Sequence, residues 1–209
     1  KIRELNSDDS VDGILLQLPL PKHLDEKYLM NLIDVSKDVD GLTSMSVGNL
    51  MQGLECNIAC TPFGIVNLLK FYDIELKGKD VLIINDSVIV GRSLAMLLLN
   101  ERATVTVAHK ETKDLKEKIK VADIIITATG CLRLFNANDF LPNQVVVDVS
   151  INVNDLGKLE GDVDKRDYGK LDEKGVHYSP VPGSVGMTTV ISLIENVVGI
   201  AERKENERK

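Results

Sequence analysis

Three short segments combine polar side chains with prolines or glycines in patterns that suit contact with a small molecule. Gln17 begins the motif QLPLP, Asp40 lies in the acidic turn KDVDG, and Pro182 and Gly183 lie in the loop SPVPGSVG. An amide both donates and accepts hydrogen bonds, a carboxylate accepts from two adjacent donors, and glycine lets a ligand approach the backbone. The predicted chemistry is recognition of a polar ligand.

Each segment also has a purely structural interpretation. QLPLP is typical of a strand end whose exit path is fixed by prolines, and without further information that interpretation is favoured. KDVDG is typical of a tight turn, and a calcium loop is excluded because the downstream ligands are missing. SPVPGSVG is typical of an irregular loop in front of a helix, whose free N–H groups can also bind an acceptor. The residues alone leave both interpretations open.

The elements that position these segments alternate between strands and helices. Apolar runs predict strands at 11–18, 80–84, 104–108, 123–128 and 144–149. The last four are apolar on both faces, as is typical of parallel strands covered by helices on each side. Helices are predicted at 45–52, at 61–72 with Thr61 as cap, at 91–101, and from 188 to about 204. The pattern predicts an α/β protein with a Rossmann-like, doubly wound parallel sheet built from right-handed βαβ units.

The chain divides into a dinucleotide-binding domain and part of a second α/β domain. We expect residues 1–60 to belong to the second domain, since one strand and a few helices are too little to close a core. Residues 61–77 are predicted to form a connecting helix and 78–182 the Rossmann-like domain. Residues 183–209 are expected to form a loop and a helix that returns to the first domain. That helix carries a broad apolar face made of Val190, Ile191, Leu193, Ile194, Val197, Val198 and Ala201.

Composition narrows the classes of function. With 25 Lys and Arg against 32 Asp and Glu, the net charge of -7 argues against nucleic-acid binding. The sequence contains no run of 18 apolar residues and its first residues lack a secretory apolar core, so we expect a cytoplasmic protein with no membrane partner. Cys56, Cys60 and Cys131 show no metal spacing. Buried reduced thiols are expected, and no metal site.

Four segments, taken in their order and spacing, resemble signatures of the methylenetetrahydrofolate dehydrogenase/cyclohydrolase family. They are DGILLQLPLP at 12–21, KDVDGLTSMSVGNL at 37–50, ACTPFG at 59–64 and SPVPGSVGMTT at 179–189, with TATG at 127–130 and GD at 161–162 matching as well. The resemblance covers essentially the whole chain. It implies a bifunctional enzyme that oxidises 5,10-methylenetetrahydrofolate with NADP and hydrolyses the methenyl product to 10-formyltetrahydrofolate.

The resemblance also implies roles for individual residues. Gln17 matches a glutamine that orients and tunes a catalytic lysine, and Asp40 matches the aspartate that binds the pterin ring. The substrate-binding set it implies is Gln17, Leu18, Pro19, Asp40, Pro182 and Gly183. The family's catalytic lysine lies in an upstream Tyr-x-x-x-Lys motif, which these 209 residues lack. We expect a preceding N-terminal segment to carry it, and these residues alone to have little or no turnover.

The turn after the first strand of the dinucleotide domain departs from the family pattern. Asn85 and Asp86 stand where the family has Gly and Arg, and the arginine faces the 2′-phosphate in related enzymes. Asp86 is therefore expected to weaken NADP binding, while Lys110 can supply a replacement cation. NADP is the expected cofactor, with NAD possible. The cofactor-binding residues implied are Asn85, Asp86, Ser87, Val90, Gly91, Arg92, His109, Lys110, Thr129, Gly130 and Ile151.

The expected partners are tetrahydrofolate derivatives and a second copy of the chain, since this family usually forms homodimers through the dinucleotide domain. Two other functions remain open. One is a cyclohydrolase or folate-binding protein with a degenerate dinucleotide site. The other is a non-catalytic Rossmann module that serves as an assembly partner, although an inert scaffold needs neither Gln17 nor Asp40.

Overall fold

The computed structural model describes residues 1–207, which contain eight α-helices and seven strands. The helices are α1 (Ile2–Asn6), α2 (Glu26–Met30), α3 (Ser44–Gln52), α4 (Cys60–Phe71), α5 (Ser93–Asn100), α6 (Leu115–Val121), α7 (Tyr168–Lys174) and α8 (Val185–Glu207). The strands are β1 (Asp80–Ile84), β2 (Thr104–Ala108), β3 (Ile124–Thr127), β4 (Val145–Asp148), β5 (Asn152–Val153), β6 (Leu159–Glu160) and β7 (His177–Tyr178).

Five strands form one parallel sheet in the order β2-β1-β3-β4-β7. Alternate residues of β1 enter two cores: Val81 and Ile83 face one hydrophobic cluster, and Leu82 and Ile84 face the other. This two-sided burial explains why the strand sequences are apolar on both faces. The carboxyl ends of the central strands share one edge, where Ile84 pairs with Ala108 and with Thr127. The predicted α/β class with a Rossmann-like parallel sheet is confirmed.

The strand predicted at 11–18 does not form. Its only ladder contact is an isolated bridge between Ile14 and Asp38, in which the Ile14 amide donates to the Lys37 carbonyl at 2.8 Å. An apolar run becomes a strand only when a neighbouring strand supplies hydrogen-bond partners, and here the neighbour is a turn. The two-residue strands β5, β6 and β7 were not predicted, because so short a segment shows no periodicity.

Two predicted helix starts are also corrected. Thr61 does not cap α4, which begins at Cys60 after Ala59, and Ala59 makes no side-chain capping bond. The helix expected from residue 91 is preceded by a π-helical turn, Val88–Arg92, before α5 begins at Ser93. A Cβ at Gly91 would lie 1.9 Å from the Asn85 carbonyl oxygen, so this turn tolerates only glycine.

Helix α8 packs along α4 through small and polar residues. A Cβ at Gly64 of α4 would come within 2.8 Å of Thr188, and Ser192 and Asn196 of α8 are buried. Further along, the Lys204 ammonium reaches the Asp12 carboxylate at 2.7 Å, so α8 also contacts the first part of the chain.

The face of α8 expected to pack is largely exposed. Its exposed apolar residues are Val190, Ile191, Ile194, Val197 and Val198. Length and composition alone would let residues Val185–Asn206 cross a membrane, and 22% of the best apolar window there is buried. Core helices of water-soluble proteins meet the same two criteria.

Candidate functional site

The turn that carries Asp40 is fixed by buried charged neighbours on its N-terminal side. The Lys37 ammonium donates to three backbone carbonyl oxygens within residues 5–8, at 2.9, 2.8 and 2.7 Å. The Asp38 carboxylate accepts from the Thr43 amide at 2.9 Å. An ammonium has three donors, so Lys37 is fully occupied in holding the backbone. It is a structural lysine and does not replace the missing catalytic one.

Asp40 itself is paired with the start of α4. Its partly buried carboxylate lies close to the amide and the thiol of Cys60, and the thiol donates to the neighbouring Val39 carbonyl at 3.7 Å. Burial raises the pKa of Asp40, and these two groups of Cys60 oppose that rise. Burial, together with the neighbouring Asp40, also strongly raises the pKa of the Cys60 thiol. Cys60 therefore stays a neutral thiol that orients the carboxylate.

Sequence reasoning treated Cys60 only as a buried thiol and so missed this contact. The signal available was its place in ACTPFG, one of the four motifs. The expectation of buried cysteines holds for Cys60 but is wrong for Cys131, which is exposed in the loop after β3. That loop lies at the open edge of the sheet, where chain segments reach solvent.

Gln17 and the proline-glycine loop are both solvent-accessible. The Gln17 side chain donates to the neighbouring Leu18 carbonyl at 3.1 Å. Pro182 and Gly183 are exposed in front of α8. The peptide bonds Leu18–Pro19 and Val181–Pro182 are both cis.

The turn after β1 is held by its own side chains. The Asn85 amide oxygen accepts from the amides of Ser87 at 2.9 Å and Gly91 at 3.0 Å. The Asn85 NH₂ group donates to the Ala128 carbonyl at 2.7 Å, and the Ser87 hydroxyl accepts from the Val90 amide at 3.2 Å. Asparagine thus replaces the family's glycine with a fixed hydrogen-bond network. The amides of Ser87, Val90 and Gly91 already have partners.

Two cations accompany Asp86 at this edge of the sheet. Asp86 is exposed, and the Arg92 guanidinium donates through Nε to the Asp86 carbonyl at 2.8 Å. His109 and Lys110 follow β2, which pairs directly with β1. Lys110 is exposed, and its ammonium lies 4.0 Å from Glu111. A negative group bound here would therefore meet the carboxylates of Asp86 and Glu111 as well as the basic side chains of Arg92 and Lys110.

The loops after β3 and β4 complete the edge. The Gly130 amide donates to the Ser150 hydroxyl at 3.0 Å, and Thr129 precedes it in a partly buried position. Ile151 is exposed, and its Cδ1 lies 3.8 Å from where a Cβ at Gly186 would be. The residues expected to bind the cofactor therefore lie on four loops, after β1, β2, β3 and β4, and the loop after β4 touches the start of α8.

The motif segments form one continuous chain of contacts. Segment 12–21 meets 37–50 where the Ile14 amide donates to Lys37. Segment 37–50 meets 59–64 through Asp40 and Cys60. Segment 59–64 meets 179–189 where Gly64 packs against Thr188. Segments far apart in sequence are thus linked by direct contacts, from Ile14 to the start of α8.

Among residues 1–207, no group of three or more His, Cys, Asp or Glu side chains is placed to hold a metal ion. The parallel sheet, the tight glycine turn after β1 and the loops at the carboxyl edge define a dinucleotide-binding α/β protein.

Two family models identify the protein more closely. Residues 59–205 match the model described as the tetrahydrofolate dehydrogenase/cyclohydrolase NAD(P)-binding domain, and residues 1–40 match the catalytic domain of the same enzymes. The chain belongs to the tetrahydrofolate dehydrogenase/cyclohydrolase family. The family resemblance identified in the sequence is confirmed.

Individual relatives agree with this assignment. The bifunctional protein FolD of Clostridium perfringens (strain SM101 / Type A) is 48% identical over 198 residues, which cover 94% of this chain and 70% of that protein. The crystal structure of the bifunctional FolD enzyme of Campylobacter jejuni is 47% identical with a TM-score of 0.92, over 97% of this chain and 71% of that one. The Trypanosoma brucei enzyme, solved with NADP and an inhibitor, is 31% identical with a TM-score of 0.87, covering 97% and 71%.

Proposed function

We propose that this protein oxidises 5,10-methylenetetrahydrofolate to 5,10-methenyltetrahydrofolate with NADP and hydrolyses that product to 10-formyltetrahydrofolate. The observation that carries the proposal is the continuous chain of contacts among the four motif segments. The turn of Asp40 is proposed to bind the folate beside the nucleotide held at the open edge of the sheet. Two ring systems bound at these places would lie next to each other, as a hydride transfer requires.

Asp40 is the residue proposed to bind the pterin. Its carboxylate presents two oxygens to the adjacent N–H groups of the ring, and Cys60 fixes its orientation. A folate that lacked those donors would leave a partly buried carboxylate unpaired, so the contact also selects the substrate. Gln17 is proposed to orient the catalytic lysine, which these 209 residues do not contain.

The residues of the open edge fit a dinucleotide. The backbone at Gly91 approaches the end of β1 so closely that no other residue fits, which is the packing that a dinucleotide turn needs. The residues proposed to hold NADP are Arg92, Lys110, Thr129 and Gly130. When bound, NADP supplies the hydride acceptor. The protein's part is to fix its position and to exclude bulk water from the methylene carbon.

Assays of the intact protein test the proposal. Reduction of NADP in the presence of 5,10-methylenetetrahydrofolate measures the first reaction, and hydrolysis of 5,10-methenyltetrahydrofolate measures the second. Both activities are expected, and both should fall together in Asp40→Asn. Absence of both activities in a folded, intact protein would overturn the proposal.

A second candidate is a cyclohydrolase whose dinucleotide site has degenerated. The observation that favours it is the turn after β1, where Asp86 is exposed and the amides of Ser87 and Gly91 are already bonded to Asn85. The same assays separate the candidates. A cyclohydrolase alone would hydrolyse the methenyl substrate while reducing neither NADP nor NAD.

We further propose a cytoplasmic homodimer that binds neither nucleic acid nor membrane. The net charge of -7 supports the exclusion of nucleic acid, because phosphate binding needs an excess of basic residues. Sedimentation of the intact protein should give twice the chain mass, and a single-chain mass at working concentration would contradict the dimer.

A further inference from the structure

The GD motif at 161–162 places a fully buried carboxylate beneath the loop that follows β3. Asp162 is 0% exposed. Its carboxylate accepts from the Thr127 hydroxyl at 2.6 Å, the Thr129 amide at 2.7 Å and the Cys131 amide at 3.1 Å. One side chain, distant in sequence, therefore determines the backbone path of the TATG loop.

Asp162 is held in place by the segment around it. The Arg133 amide donates to the Gly161 carbonyl at 3.2 Å, and the Phe135 amide donates to the Asp162 carbonyl at 2.9 Å. The Arg133 guanidinium makes a two-pronged contact with the buried Glu160 carboxylate, at 2.6 and 2.9 Å. Paired, buried charges of this kind hold a backbone register, because separating them leaves a charge unpaired.

Gly161 of this motif lies against Asp148, which leaves no space for a side chain. A Cβ at Gly161 would lie 2.0 Å from a carboxylate oxygen of Asp148, so any other residue would displace that carboxylate. Asp148 accepts from the Val163 amide at 2.7 Å and from the Ser150 amide at 3.1 Å. Ser150 in turn accepts from Gly130. The two aspartates thus hold the loops after β3 and β4 together.

The result is a loop whose amides are all engaged on the protein side. Those of Thr129 and Cys131 go to Asp162, and that of Gly130 goes to Ser150. On the other side, a Cβ at Gly130 would meet nothing within 4 Å. The loop therefore presents bare backbone to open space at the carboxyl edge of the sheet, which leaves room for a flat ring to lie against it.

We propose that Asp162 is a positioning residue for the nicotinamide nucleotide, because it fixes the shape of the Thr129–Gly130 surface on which the cofactor rests. The inference depends on the proposed function. Asp162 acts through the loop and touches neither substrate nor cofactor. Its loss should affect the dehydrogenase reaction and spare the cyclohydrolase reaction, which uses no nicotinamide nucleotide.

Asp162→Asn in the intact protein is the first test. The amide keeps the size of the side chain but sets its NH₂ group against the N–H donors of the loop. We expect the dissociation constant of NADP, measured by calorimetry, to rise about tenfold or more, since small misplacements have large effects on such sites. Cyclohydrolase turnover, assayed without nucleotide, should stay within about twofold.

Three further variants supply a control and a graded loss of the bonds to Asp162. Asp164→Asn is the matched control: its carboxylate hydrogen-bonds to Arg166 and lies 4.0 Å from Arg133, and within residues 1–207 it accepts no hydrogen bond from residues 127–131. It should leave both the NADP constant and cyclohydrolase turnover within about twofold. Thr127→Val removes one of the three bonds to Asp162 and should give an intermediate loss of NADP affinity. Thr127→Ser, which restores the hydroxyl, should recover it.

Each outcome has a definite meaning. An unchanged NADP constant in Asp162→Asn overturns the inference, as does a proportional loss of both activities with a lowered melting temperature. If Asp162→Asn does not fold, the Thr127 pair decides, and equal NADP constants for the Val and Ser variants overturn it. Absence of cyclohydrolase activity in the unaltered protein would contradict the proposed function instead. The calorimetric comparison of NADP dissociation constants would still test the role of Asp162.

Discussion

Two turns of this molecule carry an aspartate at a predicted ligand site, and they are built in opposite ways. The Asp40 turn (residues 37–41) is anchored by distant residues: the buried Asn196 amide donates to the Val39 carbonyl across 157 positions of sequence. The Asp86 turn (residues 85–93) closes largely on itself, with Asn85 bonded to Ser87 and Gly91. Its main distant bond runs from Asn85 to Ala128.

The two turns therefore differ in how a substitution affects the protein. A change in the Asp40 turn disturbs contacts among three distant segments, so it affects stability as well as binding. A change at the exposed Asp86 alters the charge offered to a ligand without disturbing packing.

The largest expected effect comes from Asn196→Ala. The Asn196 amide donates to the carbonyls of Val39 and Ile58, both at 2.9 Å. Loss of both hydrogen bonds, at roughly 1–3 kcal/mol each, predicts a decrease of about 4 kcal/mol in the free energy of unfolding, with only the weaker bond from the Cys60 thiol left to the Val39 carbonyl. Urea unfolding measures it, with the exposed Glu202→Ala as control. A loss no larger than that of Glu202→Ala would show that the Asp40 turn does not depend on this distant contact.

Asp148 tests whether the dinucleotide half also depends on buried distant contacts. Burial, with a contribution from the nearby Asp162, raises the pKa of Asp148 from 3.8 to about 6. The folded state therefore binds this proton more tightly, and the resulting stability is fully present below about pH 4 and lost as the pH rises through about 6. Over that window the loss is on the order of 3 kcal/mol.

The variant Asp148→Asn should remove this pH dependence. The difference in free energy of unfolding, variant minus unaltered protein, should be most negative near pH 4. It should become less negative as the pH approaches 8. The exposed Asp155→Asn serves as control and should show a constant difference. A constant difference for Asp148→Asn as well would contradict the assigned pKa.

The next effect concerns folate binding to the Asp40 turn. Asp40→Ala removes a charge-assisted hydrogen bond worth roughly 1.5–3 kcal/mol, and the folate dissociation constant should rise accordingly. The affinity for nicotinamide nucleotides should be nearly unchanged. Titrations of both ligands check this, with Asp155→Ala alongside. An unaltered dissociation constant for folate would show that Asp40 does not bind it.

The smallest expected effect is at the Asp86 turn. Because Asp86 is exposed, its repulsion of a 2′-phosphate at about 4 Å is worth only about 1 kcal/mol in water. Asp86→Arg should tighten NADP by at least that amount and leave NAD unchanged, with no loss of stability. If the unaltered protein already binds NADP tightly and the variant changes nothing, Asp86 faces away from the cofactor.

The sequence by itself determined the fold class and the family. Strands β1 and β2 were predicted with the bounds they have. Residues 81–84 of β1 are apolar because they are buried on both faces, whereas β2 is an edge strand rich in Val and Thr, residues that favour extended backbone. The order and spacing of the four motifs indicated the family, since those residues are fixed by a shared site rather than by local propensity.

Only the tertiary structure decided which residues meet. In the folded chain Cys60 lies next to Asp40, and Asp162 accepts a hydrogen bond from Thr129. The polar face of α8 packs on α4, and residues 11–18 have no partner strand. The physical reason is the same in each case. The local sequence determines which backbone conformation a segment prefers and how often its apolar residues recur. A buried polar contact depends instead on which distant donor the topology brings within hydrogen-bonding distance.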